Sequence, residues 1–431
     1  MHCVSTRGND SASLSEAIAV GLARDGGLFL PQSLPLVSLQ PGALPSVAEA
    51  LLRPLFDGEP LASQLHEICT GAFTFPAPVR WLSDESGLLE LFHGPTAAFK
   101  DFGARFLAET LSRLERPRLT TILVATSGDT GAAVAAAFHR REGFRVVVLY
   151  PDGRVSARQA HQLGAFGDNV ATYRVAGTFD DCQRMVKESF ADSQLRERHH
   201  LGSANSISLG RLLPQMAYYA TAALEAQRAG KPALSFVVPT GNLGNAVACL
   251  MARSMGLPID RVVLATNANR VLADYLATGR YDARPSLATL ANAMDVGAPS
   301  NVERLRAMFV EPWAQVRADW VDDEAIRRRI RTTWTERGTV LCPHTACGVE
   351  VLERLRAKGE KGPWLVAATA HPAKFDSVVE PLVGHTVVAP PQLAEILARP
   401  AKSRPLAPSV EALAEALADA EGQSGRGASP S

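Results

Sequence analysis

The chain predicts an α/β protein built on parallel sheets, and three observations lead there. Short apolar runs rich in β-branched residues alternate with helical patterns from about residue 85 to about residue 390, as in parallel strands covered by helices on both faces. Two of these runs pass directly into glycine-rich loops that open helices, and such sheets bind ligands beyond the carboxyl ends of their strands. The composition, 46% hydrophobic and 20% charged over 431 residues, is that of a globular protein of two or three domains.

In chain order, residues 13–22 read as a helix that ends near Asp25-Gly26-Gly27, with an extended run at 28–31. Residues 1–84 form an N-terminal accessory region of short helices and turns. Residues 85–395 form the α/β core in two subdomains. Within it, 121–126 reads as a strand followed by a helix over 131–139, and 145–150 as a strand followed by a helix over 156–163. Strands at 234–239 and 261–265 flank a helix over 246–255, and 364–369 is a late strand. Residues 396–431 read as a linker and tail: Pro400 and Pro405 break the 399–405 stretch, 410–420 fits one short helix, and the glycine-rich end from 422 reads as disordered.

Lys+Arg 44 equals Asp+Glu 44, so charge favours neither nucleic acid nor an anionic membrane as partner. No stretch reaches the roughly 20 apolar residues of a membrane span. Residues 1–8 lack the apolar core of a secretory signal, so the cytoplasm is expected. The six cysteines are too sparse for a disulfide framework. The cluster Cys342-Pro343-His344-Thr345-Ala346-Cys347 has no second ligand pair at matching spacing, which favours small buried cysteines over zinc.

Lys100 lies at a turn before an amphipathic helix, in the run Gly94-Pro95-Thr96-Ala97-Ala98-Phe99-Lys100-Asp101-Phe102-Gly103. A partly desolvated amine loses its proton readily and can form a Schiff base. The other lysines are few: Lys187, Lys231, Lys358, Lys361, Lys374 and Lys402. Arginine, the main cation here, stays protonated and cannot take that role.

Four loops could carry chemistry. Thr126-Ser127-Gly128-Asp129-Thr130-Gly131 sets hydroxyls and backbone N–H groups at a helix start, where an anion binds; an ordinary N-cap by Asp129 or Thr130 explains it equally. Thr240-Gly241-Asn242-Leu243-Gly244-Asn245 reads as a cup for one phosphate, since it lacks both the lysine of a P-loop and the dinucleotide fingerprint. Ser203 to Arg211 offers Asn205, Ser206 and Arg211 to an anionic group, with an N-cap and a surface arginine as the simpler alternative. Thr369-Ala370-His371-Pro372-Ala373-Lys374 is a polar turn in which Lys374 competes with Lys100 as the imine-forming lysine.

A lysine loop, a single-phosphate cup and a hydroxyl-rich anion loop together suggest pyridoxal phosphate. With Asp25-Gly26-Gly27-Leu28-Phe29, Asn292-Ala293-Met294-Asp295-Val296 and Ala370-His371-Pro372-Ala373-Lys374-Phe375 in the same order, the chain resembles the threonine synthases with an extended N-terminal region. The resemblance runs from Ser5 to Phe375. It implies the pyridoxal-phosphate-dependent fold of the tryptophan synthase β-chain group, with an N-terminal accessory region. It implies conversion of O-phospho-L-homoserine and water to L-threonine and phosphate, the last step of threonine biosynthesis, by γ-elimination and β-addition of water.

The resemblance assigns the Schiff base to Lys100, the cofactor phosphate to Gly241, Asn242, Leu243, Gly244 and Asn245, and the pyridine nitrogen to Thr369. Members often carry phenylalanine and aspartate where this chain has Leu243 and Asn245. Asp129 stands where distant members carry asparagine beside the cofactor's phenolic oxygen, and two negative groups there repel unless one is protonated. Ser127 and Thr130 are candidates for substrate contacts, as are Asn205, Ser206 and Arg211 around the leaving phosphate. The expected partner is the small-molecule substrate, with no nucleic acid and no membrane, in a monomer or homodimer. Alternatives are a phospho-lyase on the same substrate releasing 2-oxobutyrate, a dehydratase or β-replacement enzyme, and a non-catalytic cofactor-binding protein.

Overall fold

The computed structural model describes residues 1–115 and 119–424. Its strands are β1 (His2–Ser5), β2 (Ser11–Ser13), β3 (Phe29–Pro31), β4 (Val79–Trp81), β5 (Ser86–Glu90), β6 (Thr120–Ala125), β7 (Phe144–Pro151), β8 (Val170–Val175), β9 (Leu201–Ser203), β10 (Leu234–Pro239), β11 (Ile259–Thr266), β12 (Arg317–Trp320), β13 (Trp364–Ala368) and β14 (Arg404–Leu406).

The N-terminal region is a small antiparallel sheet, β2-β1-β3, with the helix Leu14–Val20 beside it. Ser13 caps that helix and Glu16 returns a bond to the Ser13 backbone, so the capping box sets the start that the sequence signals. The helices Leu44–Phe56 and Leu65–Ala72 pack their apolar faces into the main core. The strand β3 is tied to the distant helix Val302–Met308: the buried Arg304 donates through Nε and Nη2 to the Phe29 carbonyl at 3.0 and 2.9 Å.

Two sheets make the core. One runs β12-β11-β10-β13-β5-β4 and is parallel except for the β4–β5 pair; the other runs β14-β8-β7-β6-β9 and is wholly parallel. The chain leaves the first sheet after β5, builds β6 to β9, and returns at β10. Every residue of β7 and of β10 is buried, which is why both read as mostly apolar runs, broken only by Arg145 and Ser235. Because β4 pairs with β5, the first sheet begins ahead of residue 85.

Several boundaries differ from expectation. The helices after β6 and β10 span Asp129–Phe138 and Gly244–Ser254, starting two residues earlier than their periodicity predicts. Gly128 and Leu243, both at positive φ, turn the chain straight from strand into helix. The expected linker at 399–405 runs into β14, which pairs in parallel with β8 and covers its edge. The helix after it, Val410–Ser424, is longer than expected, takes in residues 422–424, and buries Leu413, Ala416 and Leu417 against Tyr173 and Met185. The rest of the expected disordered tail, 425–431, lies outside the described residues. Among the described residues, no helix is long and apolar enough to cross a membrane.

Candidate active site

The loops after β6, β9, β10 and β13 converge between the two sheets and line two adjoining cavities, a larger and a smaller, both open in part to solvent. Lys100, Ser206 and Asn242 belong to the walls of both. Ser127, Thr130 and Asn205 line the larger, beside Leu22 from the N-terminal region. Asp129, Arg211, the whole 241–245 loop and Thr369 line the smaller. Every residue assigned to the cofactor or the substrate in the sequence therefore lines this one region.

Lys100 opens the helix Lys100–Arg113. The turn before it is pinned to the end of β13: Phe99 N–H donates to the Thr369 carbonyl at 2.8 Å, and His371 N–H to the Ala97 carbonyl at 3.0 Å. What exposure Lys100 keeps is toward the cavities it lines. Burial pushes its ammonium down to about 8; Asp129 opposes that fall, while Arg211 and Lys374 add to it. A lysine with that proton affinity is partly an unprotonated amine near neutral pH, the form that acts as nucleophile or base.

Lys374 does not line either cavity. It is fully buried, and its Nζ lies 2.8 Å from Asp129 Oδ1 and donates to the Thr96 carbonyl at 2.8 Å. The choice between the two lysines, open in the sequence, turns on this placement: of the two, Lys100 borders the cavities and Lys374 does not. Asp129 Oδ1 also accepts from Gln159 Nε2 at 2.9 Å. Burial alone would raise its pKa, but Lys374, Lys100 and His344 together hold the carboxyl below the ordinary range.

The hydroxyl loop corrects one expectation. Neither Asp129 nor Thr130 caps the helix; Gly128 holds that position without a side-chain bond. Thr126 Oγ1 accepts instead from the Gly128 and Gly131 N–H groups at 3.0 and 2.8 Å. Gly128 has φ +128°, and a Cβ there would lie 2.6 Å from Gln159 Nε2, so the close packing of Gln159 against Asp129 requires glycine.

The 241–245 loop has the form of an anion cup. Its helix has no side-chain cap, which leaves the first N–H groups available. Gly241 lies so close to the 292–296 segment that a Cβ would sit 2.7 Å from Met294 Cα. Asn242 is spoken for: its Nδ2 donates to Ser206 Oγ at 2.7 Å and its Oδ1 accepts from Ser300 N–H at 2.6 Å. Asn245 is buried, and its Oδ1 accepts from the hydroxyls of Tyr218 and Tyr219. Its Nδ2, at the cavity wall, has no partner in the protein. A buried amide donor without a partner costs stability unless a ligand meets it.

Arg211 is not the surface arginine of the simpler alternative. It is 1% exposed, donates through Nη1 to the Ala204 carbonyl at 2.8 Å, and is pushed by burial down to about 10. Its Nε has no protein partner.

The sequence alone passed over His344, Gln159 and Asn292. His344 sits in the smaller cavity, pushed by burial down to about 4, so it is neutral and its Nε2 accepts from Ala293 N–H at 3.1 Å. Asn292 Nδ2 donates to Gln159 Oε1 at 2.9 Å, which links the 292–296 motif to Asp129. The motif itself was the only sequence signal for these contacts. Cys342, one of the cluster weighed for zinc, accepts at Sγ from Thr345 N–H at 3.4 Å and caps the helix Pro343–Ala357.

The model of pyridoxal-phosphate-dependent enzymes matches residues 79–370, that of the threonine synthase N terminus residues 2–73, and that of the threonine synthase C-terminal region residues 345–417. The chain is 40% identical over 396 residues to threonine synthase from Escherichia coli (strain K12), covering 90% of this chain and 92% of that one. The crystal structure of threonine synthase from Escherichia coli superposes with a TM-score of 0.91 at 37% identity, over 97% of this chain and 100% of that one. A PLP-bound threonine synthase from Brucella melitensis gives 0.89 at 34% identity, over 97% and 99%. The residues present fit that cofactor: one anion cup with an unpartnered buried donor at Asn245, and one lysine of lowered proton affinity in the same cavity. With models matched along nearly its whole length and relatives this similar, the chain belongs to the pyridoxal-phosphate-dependent threonine synthase family.

Proposed function

We propose that this chain makes L-threonine and phosphate from O-phospho-L-homoserine and water, with Lys100 as its catalytic residue. The observation that carries this is Lys100 itself: a lysine of lowered proton affinity on the wall shared by the phosphate cup and the hydroxyl-lined cavity. Pyridoxal phosphate, when bound, withdraws electrons from the substrate carbons and makes elimination and replacement possible. Lys100 would hold the cofactor in the resting enzyme and, once freed, take the proton from the substrate α-carbon and return one during water addition. Gly241, Asn242, Leu243, Gly244 and Asn245 would bind the cofactor phosphate.

Thr369 would meet the pyridine nitrogen with a neutral hydroxyl, which does not hold that nitrogen protonated as a carboxylate would. This suits elimination better than transamination. Ser127 and Thr130 would orient the substrate in the larger cavity. Ser206 and Arg211 would bind the leaving phosphate, with Asn205 shaping that loop and the arginine giving a charge-assisted contact. We place the enzyme in the cytoplasm, as a monomer or homodimer acting on a small molecule without nucleic acid or membrane.

The test is product analysis by NMR with purified holoenzyme and O-phospho-L-homoserine. Threonine and phosphate in equal amounts are expected, and Lys100→Ala should lose both turnover and the visible cofactor band. Release of 2-oxobutyrate would replace this reading with the phospho-lyase, and turnover by Lys100→Ala would remove Lys100 from its role.

A further inference from the structure

The buried Lys374–Asp129 pair stands next to Lys100 yet does none of the binding just described. Asp129 carries one negative charge in a pocket that holds two lysines. Lys374 approaches it from the turn Pro372–Phe375 at 2.8 Å, Gln159 from the helix Ala157–Gly164 at 2.9 Å, and Lys100 and the neutral His344 face it from their own helices. Behind Lys374 lie the Thr96 carbonyl, which accepts a hydrogen bond from its Nζ, and Asp101, whose carboxylate is already taken by Thr96 N–H and Oγ1 at 2.8 and 2.7 Å. Arg211 is the remaining charge that acts on Lys100.

We infer that Lys374 is a positioning residue that acts mainly through Asp129: by pairing with that carboxylate it weakens the hold of Asp129 on the proton of Lys100. The geometry supplies the reason. A carboxylate paired at 2.8 Å to one ammonium and bonded to an amide offers a second cation less than a free carboxylate would, although Asp129 still favours the Lys100 proton and Lys374 also opposes it directly. The same carboxylate without Lys374 would be a stronger partner for the Lys100 nitrogen, which borders the same cavity, since a nearby opposite charge shifts a titration by roughly 1 to 3 pH units. The pair also answers the repulsion expected where a carboxylate stands beside the cofactor's phenolic oxygen: Asp129 enters the site already neutralised.

The inference rests on Lys100 carrying the cofactor, and the experiment separates the two. Holoenzyme is reduced with borohydride and the labelled lysine identified, and the pH midpoint of the visible cofactor band is measured for wild type, Lys374→Met, Asp129→Asn and the double variant. Label on Lys100, an upward shift of about one unit or more in Lys374→Met, and a double variant that differs from Asp129→Asn by less than half that shift are expected. An unshifted midpoint in Lys374→Met overturns the inference while leaving Lys100 in place. Label on another lysine overturns the assignment of Lys100 instead.

Removing one partner of a buried pair is strongly destabilising, so Lys374→Met alone could fail to fold. The comparison of Asp129→Asn with the double variant then decides. With no carboxylate to pair, Lys374→Met should move the midpoint by less than half as much, the remainder being the direct repulsion between the two lysines. A shift comparable to the one expected in wild type would show that Lys374 acts directly on Lys100, and the inference would fall.

Discussion

Lys100 should cost the cofactor-free protein stability, and replacing it should restore that stability. Burial holds its folded-state pKa at about 8, against 10.5 for the free side chain. Between those values the unfolded chain binds more protons than the folded one, so stability rises with pH across that window. Below about pH 8 the folded protein carries the full penalty of a desolvated ammonium. At roughly 1.4 kcal/mol per pH unit, the gap corresponds to about 3 kcal/mol. That is an upper bound, because Lys100 borders a cavity that admits water.

Lys100→Met keeps the unbranched shape and removes the charge, while Asp129 keeps Lys374 and Gln159 as partners. Urea unfolding of the two apoproteins, followed at about pH 7 and again at about pH 10.5, reads the difference. The variant should be the more stable at pH 7, by up to about 3 kcal/mol, and the gap should close as the pH rises. A variant equal to or weaker than wild type at pH 7, or a gap independent of pH, would refute the claim that burial of Lys100 is what lowers its proton affinity.

Arg211→Ala should raise KM for O-phospho-L-homoserine by about tenfold to a hundredfold, the worth of a hydrogen bond to a charged group; steady-state kinetics with unchanged KM would remove Arg211 from the site. His344 should make wild type weaken in mild acid. Its folded pKa of about 4 lies below the free value of 6.5, so its contribution is complete above about pH 6.5 and lost as the pH falls toward 4. His344→Gln retains an acceptor for Ala293 N–H and should flatten that part of the stability profile, measured by urea midpoints across the range.

Much of this site was legible because its parts are contiguous in the chain. The 241–245 cup is one loop between a strand and a helix, and its glycines and following helix announce an anion site without reference to anything distant. The Lys100 loop was legible in the same way, whereas Thr369 was assigned only through the family resemblance. Asn245 was placed at the phosphate, but the reason its amide is free there was not visible: Tyr218 and Tyr219 occupy its oxygen from a helix that ends 16 residues before the cup's helix starts. His344 was read only as one of a cysteine cluster, because nothing local shows that its ring turns toward the cavity.

By itself the sequence determined the central strands β6, β7, β10, β11 and β13, which loops follow them, and that a lysine and a phosphate cup stand at loops of this kind, since backbone propensity and patterning act over a few residues. Only the tertiary structure decided that Lys100 and not Lys374 borders the cavity, that Lys374 is spent on Asp129 from 245 residues away, and that β14 returns to close the edge of β8. The physical reason is that proton affinity and burial depend on what lies within a few ångströms in space, and those neighbours come from loops that only the packing of two sheets brings together.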